Sequence, residues 1–178
     1  MNEAEAVVAF WRDAGPARWF TKDPAFDARF RDRFLDLHER AAAGALDAWI
    51  ESAHSALALV VLLDQFPRNA FRGSARMHAT DADARRVAAR IVDSGIDRDI
   101  EPELRVFCYL PFAHSEDLAD QDRSVALMRT LGSEALAHAE DHRDIIRRFG
   151  RFPHRNAVLG RSTTPAEQAF LDSGGFAG

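Results

Sequence analysis

Ala56-Leu57-Ala58-Leu59-Val60-Val61-Leu62-Leu63, followed at once by Asp64-Gln65-Phe66-Pro67-Arg68-Asn69, is the segment on which the fold turns. A run of apolar residues with no polar face reads as the second half of a helix, from about Leu46 to Leu63, that is buried on every side. The run is far shorter than the ~20 residues needed to cross a bilayer, so it belongs to a globular core. Asp64 closes it. An anion near the negative end of a helix dipole is unfavourable by about 0.3–1 kcal/mol even when exposed, and a buried one needs a partner. Arg68 is the near partner and Arg155 the remote one. Two readings stand: a buried ion pair that fixes the chain after the helix, or an acid that orients an arginine or a ligand cation.

Outward from this helix, nearly every signal is helical. Asn2 caps a first helix to about Asp13, stopped by Gly15-Pro16. Asp23-Pro24 opens a second, with Phe26, Phe30, Phe34 and Leu37 on one face and Gly44 as its stop. Phe66 to Ala79 reads as a loop. Thr80-Asp81 caps a helix to Ser94, ended by Gly95, and Glu101-Pro102 opens a short one to Leu110, stopped before Pro111. Ser115 caps a helix to Leu131 with Glu116 and Asp117 in its first turn, Gly132-Ser133 starts another that ends at Phe149-Gly150, and Thr164-Pro165 starts the last. The expectation is a single all-α domain over 1–178, with about eight helices joined by short connections as antiparallel hairpins.

Composition narrows the function classes. With 178 residues, 47% apolar and 29% charged, the chain can bury a proper core. A net charge of −5 argues against nucleic acid as partner. Lys22 is the only lysine, in the exposed setting Thr21-Lys22-Asp23-Pro24, so neither a phosphate-binding glycine-rich loop nor a pyridoxal Schiff base is indicated. Cys108 stands alone in an apolar run, which leaves no internal disulfide and no cysteine-based zinc site. Glu3 and Glu5 replace the basic region of a signal peptide. The expected setting is the cytoplasm, with no membrane partner and no cofactor.

Three polar knots remain. The first is Asp64 with Arg68 and Asn69. The second is His114, Glu116 and Asp117: the acids fit a helix's first turn, while His114 lies in a loop where its ring is free to meet a ligand. The third runs from His142 and Arg143 to His154, Arg155 and Asn156, with cations so dense that acids or an anionic ligand must answer them. The ion-pair reading gives them Asp64, Glu116, Asp117 and Asp120. His142-Arg143-Asp144 shares its letters with the kinase catalytic loop, but it lies mid-helix without the other kinase motifs. Asp144 and Arg148 are an i,i+4 pair. His138 and His142 share that spacing without the glutamate of a zinc-protease helix. Trp11, Trp19, Phe20 and Trp49 read as packing between the N-terminal helices.

At these residues the chain resembles a known family. Leu62 to Asn69 with Phe71-Arg72-Gly73 and Ala79-Thr80-Asp81, Tyr109 to Phe112 with His114 to Gln121, and His142 to Ile146 with Arg148 to Asn156 are similar to three signature blocks of the bacterial family called domain of unknown function 924. Trp19-Phe20 and Lys22 to Asp27 fit as well, whereas Ile50 to Ala58 is less characteristic. The resemblance implies a tetratricopeptide-like stack of helical hairpins and no particular activity. A signature of charged and histidine residues in three distant segments points to a shared site. The expectation is therefore a binding module. Asp64, Arg68, Asn69, His114, Glu116, Asp117, His142, Arg143, His154, Arg155 and Asn156 converge on one groove for an anionic small molecule or peptide. The alternative is a small-metabolite hydrolase or isomerase, metal-assisted or not, in which His114 or His154 is the general base, oriented by Asp64 or Glu116.

Overall fold

The structure, a computed structural model, describes residues 2–177. The described residues are all-helical, with no strand among them. They form two compact units, one of residues up to Arg72 with Arg76–Pro111, the other of Gly73–Ala75 with Phe112 onward.

In the first unit, helix α1 (Glu3–Ala14) carries a capping box between Asn2 and Glu5, and a short helix α2 (Pro16–Trp19) follows Gly15. Helix α3 (Pro24–Ala42) is capped by Asp23, whose carboxylate accepts from the Ala25 and Phe26 amides. The apolar faces of α1, α2 and α3 meet in an aromatic cluster in which Trp11 stacks on Trp19 and packs against Phe30 and Phe107. Phe20 also stacks on Phe107, although most of its surface stays exposed.

The decisive apolar helix begins later than its sequence suggests. Residues Asp47–Glu51 form a 3₁₀ turn, Ser52 is extended, and its hydroxyl caps helix α4 (Ala53–Val60). A serine able to satisfy the free amides of a first turn marks a better start than Leu46, which offers no acceptor. From Ala56 to Leu63 every residue is buried, as an all-round apolar helix should be.

Its end is also different. Instead of a loop, the chain makes a π turn (Val61–Gln65) and continues as helix α5 (Phe66–Ala70). The cause is Pro67. A proline inside an α-helix lacks the N–H for the preceding turn, and its ring collides with the carbonyl four residues back. One extra residue in the turn relieves that collision. The Phe66 amide then bonds Val61, five residues back. The Leu62 and Leu63 carbonyls, which Pro67 cannot serve, accept instead from His38 Nδ1 at 2.9 Å and the Thr80 hydroxyl at 2.5 Å. Thr80 is thereby drawn from the capping role expected of it: helix α6 (Asp81–Ser94) starts without a side-chain cap bond and ends at Gly95 in the left-handed conformation. Helix α7 (Pro102–Ala113) does not stop before Pro111 but passes through it.

The second unit is built on helix α8 (Leu118–Met128) and helix α9 (Ser133–Phe149), which make its most extensive pairing. Gly150, left-handed, turns the chain into a 3₁₀ turn (Pro153–Arg155), and helix α10 (Pro165–Asp172) opens with a capping box between Thr164 and Glu167. Ile145, Ile146 and Phe152 form the apolar centre, flanked by Phe149 and Phe170.

Candidate functional site

The residues singled out from the sequence divide between the units: Asp64, Arg68 and Asn69 lie in the first, the other eight in the second. In the first unit their bonds are architectural. Asp64, fully buried at the π turn, accepts from Gln65 Nε2 at 2.6 Å and pairs with Arg68 at 3.2 Å. Arg68 also donates to the Asp64 carbonyl and to Asp81, both at 2.8 Å. One guanidinium therefore answers two carboxylates and a helix-end carbonyl. Asn69 donates to Asp27 at 2.7 Å, and Arg72 closes on the same carboxylate at 2.6 Å, tying α5 to α3.

In the second unit, Asp117 rather than Ser115 is the cap of α8, accepting from the Ala119 and Asp120 amides. The Ser115 hydroxyl instead donates to Asp120 and accepts from the Asp117 amide. With the cap filled, Glu116 lies outside the helix. It accepts from Arg161 at 2.7 and 3.0 Å and from the Phe152 amide at 2.8 Å. Burial pushes its carboxyl up, but the Arg161 bonds and the Phe152 N–H outweigh it and hold the group below the usual range. Asn156, fully buried, accepts from Arg161 at 3.0 Å and donates to Thr163 and Glu167. Arg151 grips Glu167 at 2.6 and 2.9 Å, and with the Thr164 amide brings that carboxyl down to about 2.

Two acids outside those expected, Asp122 and Glu167, answer part of the arginine-rich segment. Asp122 faces Arg143 and Arg147, each at 3.5 Å, and Glu167 takes Arg151. Asp144 pairs with Arg147 at 3.7 Å instead of Arg148. Arg148 has no acid partner among the described residues. Its guanidinium carbon lies 4.6 Å from the Phe149 ring centre and 5.5 Å from that of Phe170.

Around His142 three expected residues do come together. Its Nδ1–H donates to the His138 carbonyl at 2.9 Å, which fixes the tautomer and leaves Nε2 as the acceptor. Burial drives its pKa down to about 3, and the nearby His138, His114 and Arg155 oppose protonation further. The His138 ring lies 4.2 Å away, centre to centre. Phe176 approaches from the far end of the sequence, 4.5 Å from His142 and 5.1 Å, edge-on, from His154. Gly175 makes that approach feasible: a Cβ there would come within 2.5 Å of the Phe170 ring. Arg155 is buried with its guanidinium 4.4 Å from the Phe152 ring.

A cavity of about 310 Å³ opens beside this cluster. The rings of His138, His142, Phe149, Phe170 and Phe176, with Ile145, give it an apolar lining. Arg148, Asp141 and Asp144 bring the charge. Among the described residues no group of three or more His, Cys, Asp or Glu is placed to hold a metal ion.

A family model described as a bacterial protein of unknown function (DUF924) matches residues 7–175. The chain belongs to this family. The solved structure of a protein of unknown function from Agrobacterium tumefaciens is 55% identical to the chain, covers 96% of it and 97% of its own length, and superimposes with a TM-score of 0.94. None of the curated proteins matches the chain. Membership in DUF924 agrees with the three blocks read from the sequence. Arg148, which lies within the arginine-rich segment, and Phe170 and Phe176 are not among the residues expected to line the groove. Arg148 was hidden by its i,i+4 spacing to Asp144, and the two phenylalanines carry no local signal that separates them from core.

Proposed function

We propose that this DUF924 protein is a binding module whose second unit holds an anionic small molecule, or the terminus of a peptide, in the cavity beside His142. The observation that carries the reading is Arg148. It is a cation without an acid partner among the described residues, set over two phenylalanine rings at the edge of a cavity. Arg148 is exposed, and with its guanidinium beside the two rings rather than on an acid its N–H fork is open to a carboxylate. His142 is neutral at physiological pH and offers Nε2 as an acceptor. At about 310 Å³ the cavity is at the small end of the ~300–1,000 Å³ typical of ligand sites.

The alternative, a hydrolase or isomerase with a histidine base, draws less support. His114 and His154, the histidines that would serve as base, are not among the residues lining this cavity. His142, which does line it, titrates near 3 and is a poor base at neutral pH, and the Glu116 oxygens that would orient a base are taken by Arg161 and the Phe152 amide. A tetratricopeptide-like stacking of the hairpins, a cytoplasmic setting, and the absence of nucleic-acid and membrane partners belong to the proposal on the sequence grounds given above. Calorimetric titration of small monocarboxylates into the protein and into Arg148→Gln is the test. Binding that weakens about tenfold or more in the variant supports the reading, because a bidentate charged contact contributes at least that much. Absent binding, or equal binding by both proteins, refutes it.

A further inference from the structure

Resting on that reading, we propose that the cavity selects a singly charged aromatic acid: a flat ring among the phenylalanine and histidine rings, with its carboxylate on Arg148. Two observations bear on the class of ligand. The lining is dominated by rings rather than by aliphatic side chains; Ile145 is the one aliphatic group. Stacked and edge-on ring contacts favour an aromatic body over an aliphatic one of equal area by about 3- to 10-fold. Within the second unit the chain shows the preference on itself: the Phe176 ring lies against the rings of His142 and His154.

The charge of the ligand follows from the other two groups. Arg148 can take one carboxylate. Asp141 and Asp144 line the same space, so a second negative charge on the ligand would meet two carboxylates. Inorganic phosphate, partly doubly charged at neutral pH and with no apolar body, fits neither feature.

The experiment titrates the full chain at pH 7 with 3-phenylpropionate, hexanoate, phenethylamine and inorganic phosphate. The variants Arg148→Gln and Phe170→Leu are titrated in parallel and checked for an unchanged melting temperature. The expected result is that 3-phenylpropionate binds about 3- to 10-fold more tightly than hexanoate, with phosphate and phenethylamine weaker than either. Phe170→Leu should narrow the gap between the two acids, and Arg148→Gln should weaken both. Equal affinity for 3-phenylpropionate and hexanoate overturns the aromatic selection and leaves the anion-binding reading intact. Binding of no carboxylate at all overturns both. Tightest binding of phenethylamine means that Asp141 and Asp144 rule the site, and also overturns both.

Discussion

Replacing Thr80 by valine tests the account of the π turn. The substitution keeps the shape of the side chain and removes only the hydroxyl that serves the Leu63 carbonyl at 2.5 Å. Both residues are buried, at 6% and 1% exposure, so water has little access to the abandoned oxygen. An unsatisfied buried carbonyl costs about 1–3 kcal/mol. For a chain of this length each kcal/mol lowers the melting temperature by about 2–4 °C, so a cost near 2 kcal/mol predicts a fall of about 4–8 °C. The decisive variant is the double one. If Leu63 depends on Thr80 because Pro67 has no N–H, then Pro67→Ala supplies the missing donor. Thr80→Val should then cost clearly less in the Pro67→Ala background than in the natural chain, and the difference is the coupling energy. Urea unfolding of the four proteins measures it. A Thr80→Val cost under about 0.5 kcal/mol, or one that is the same in both backgrounds, would refute the reasoning.

Other consequences are as direct. His142 has a folded-state pKa of about 3, below the value of about 6.5 in the unfolded chain, so unfolding takes up a proton below pH 6.5. Its contribution is therefore complete above pH 6.5 and is lost as the pH falls, reaching about 2 kcal/mol at pH 5; a melting curve for His142→Asn should lose less stability between pH 7 and pH 5 than the natural chain. His38, buried against the Leu62 carbonyl and lowered by that burial, pushes in the same direction. Glu116→Gln removes the charge that holds Arg161 and weakens the acceptor of the Phe152 amide, at side-chain exposures of 28% and 23%. A loss of about 1–2 kcal/mol in chemical unfolding is expected, below the 3–5 kcal/mol of a fully buried pair because solvent reaches this one.

What the sequence disclosed and what it withheld have separate physical causes. Asn2, Asp23, Gly95, Gly150 and the Thr164 box mark helix ends correctly because capping is settled within four residues of chain. The continuation through Pro67 was not legible, since it depends on donors from His38 and Thr80 that are remote in sequence. The sequence points to Ser115 as the cap of α8, whereas Asp117 is the cap, and this decides what Glu116 is free to do; two residues of register move a carboxylate from a helix turn to an ion pair with Arg161. The histidines near His142 were named in advance from residue type alone. The cavity beside them was not, because it is made by phenylalanines that only tertiary packing separates from core, and by an arginine whose expected partner turns to Arg147.

The most direct measurement is a crystal structure of the protein soaked with 3-phenylpropionate. The account predicts ordered density in the second unit beside His142, with the carboxylate within hydrogen-bonding distance of the Arg148 guanidinium. An empty cavity, with the ligand ordered instead on other arginines, would contradict it.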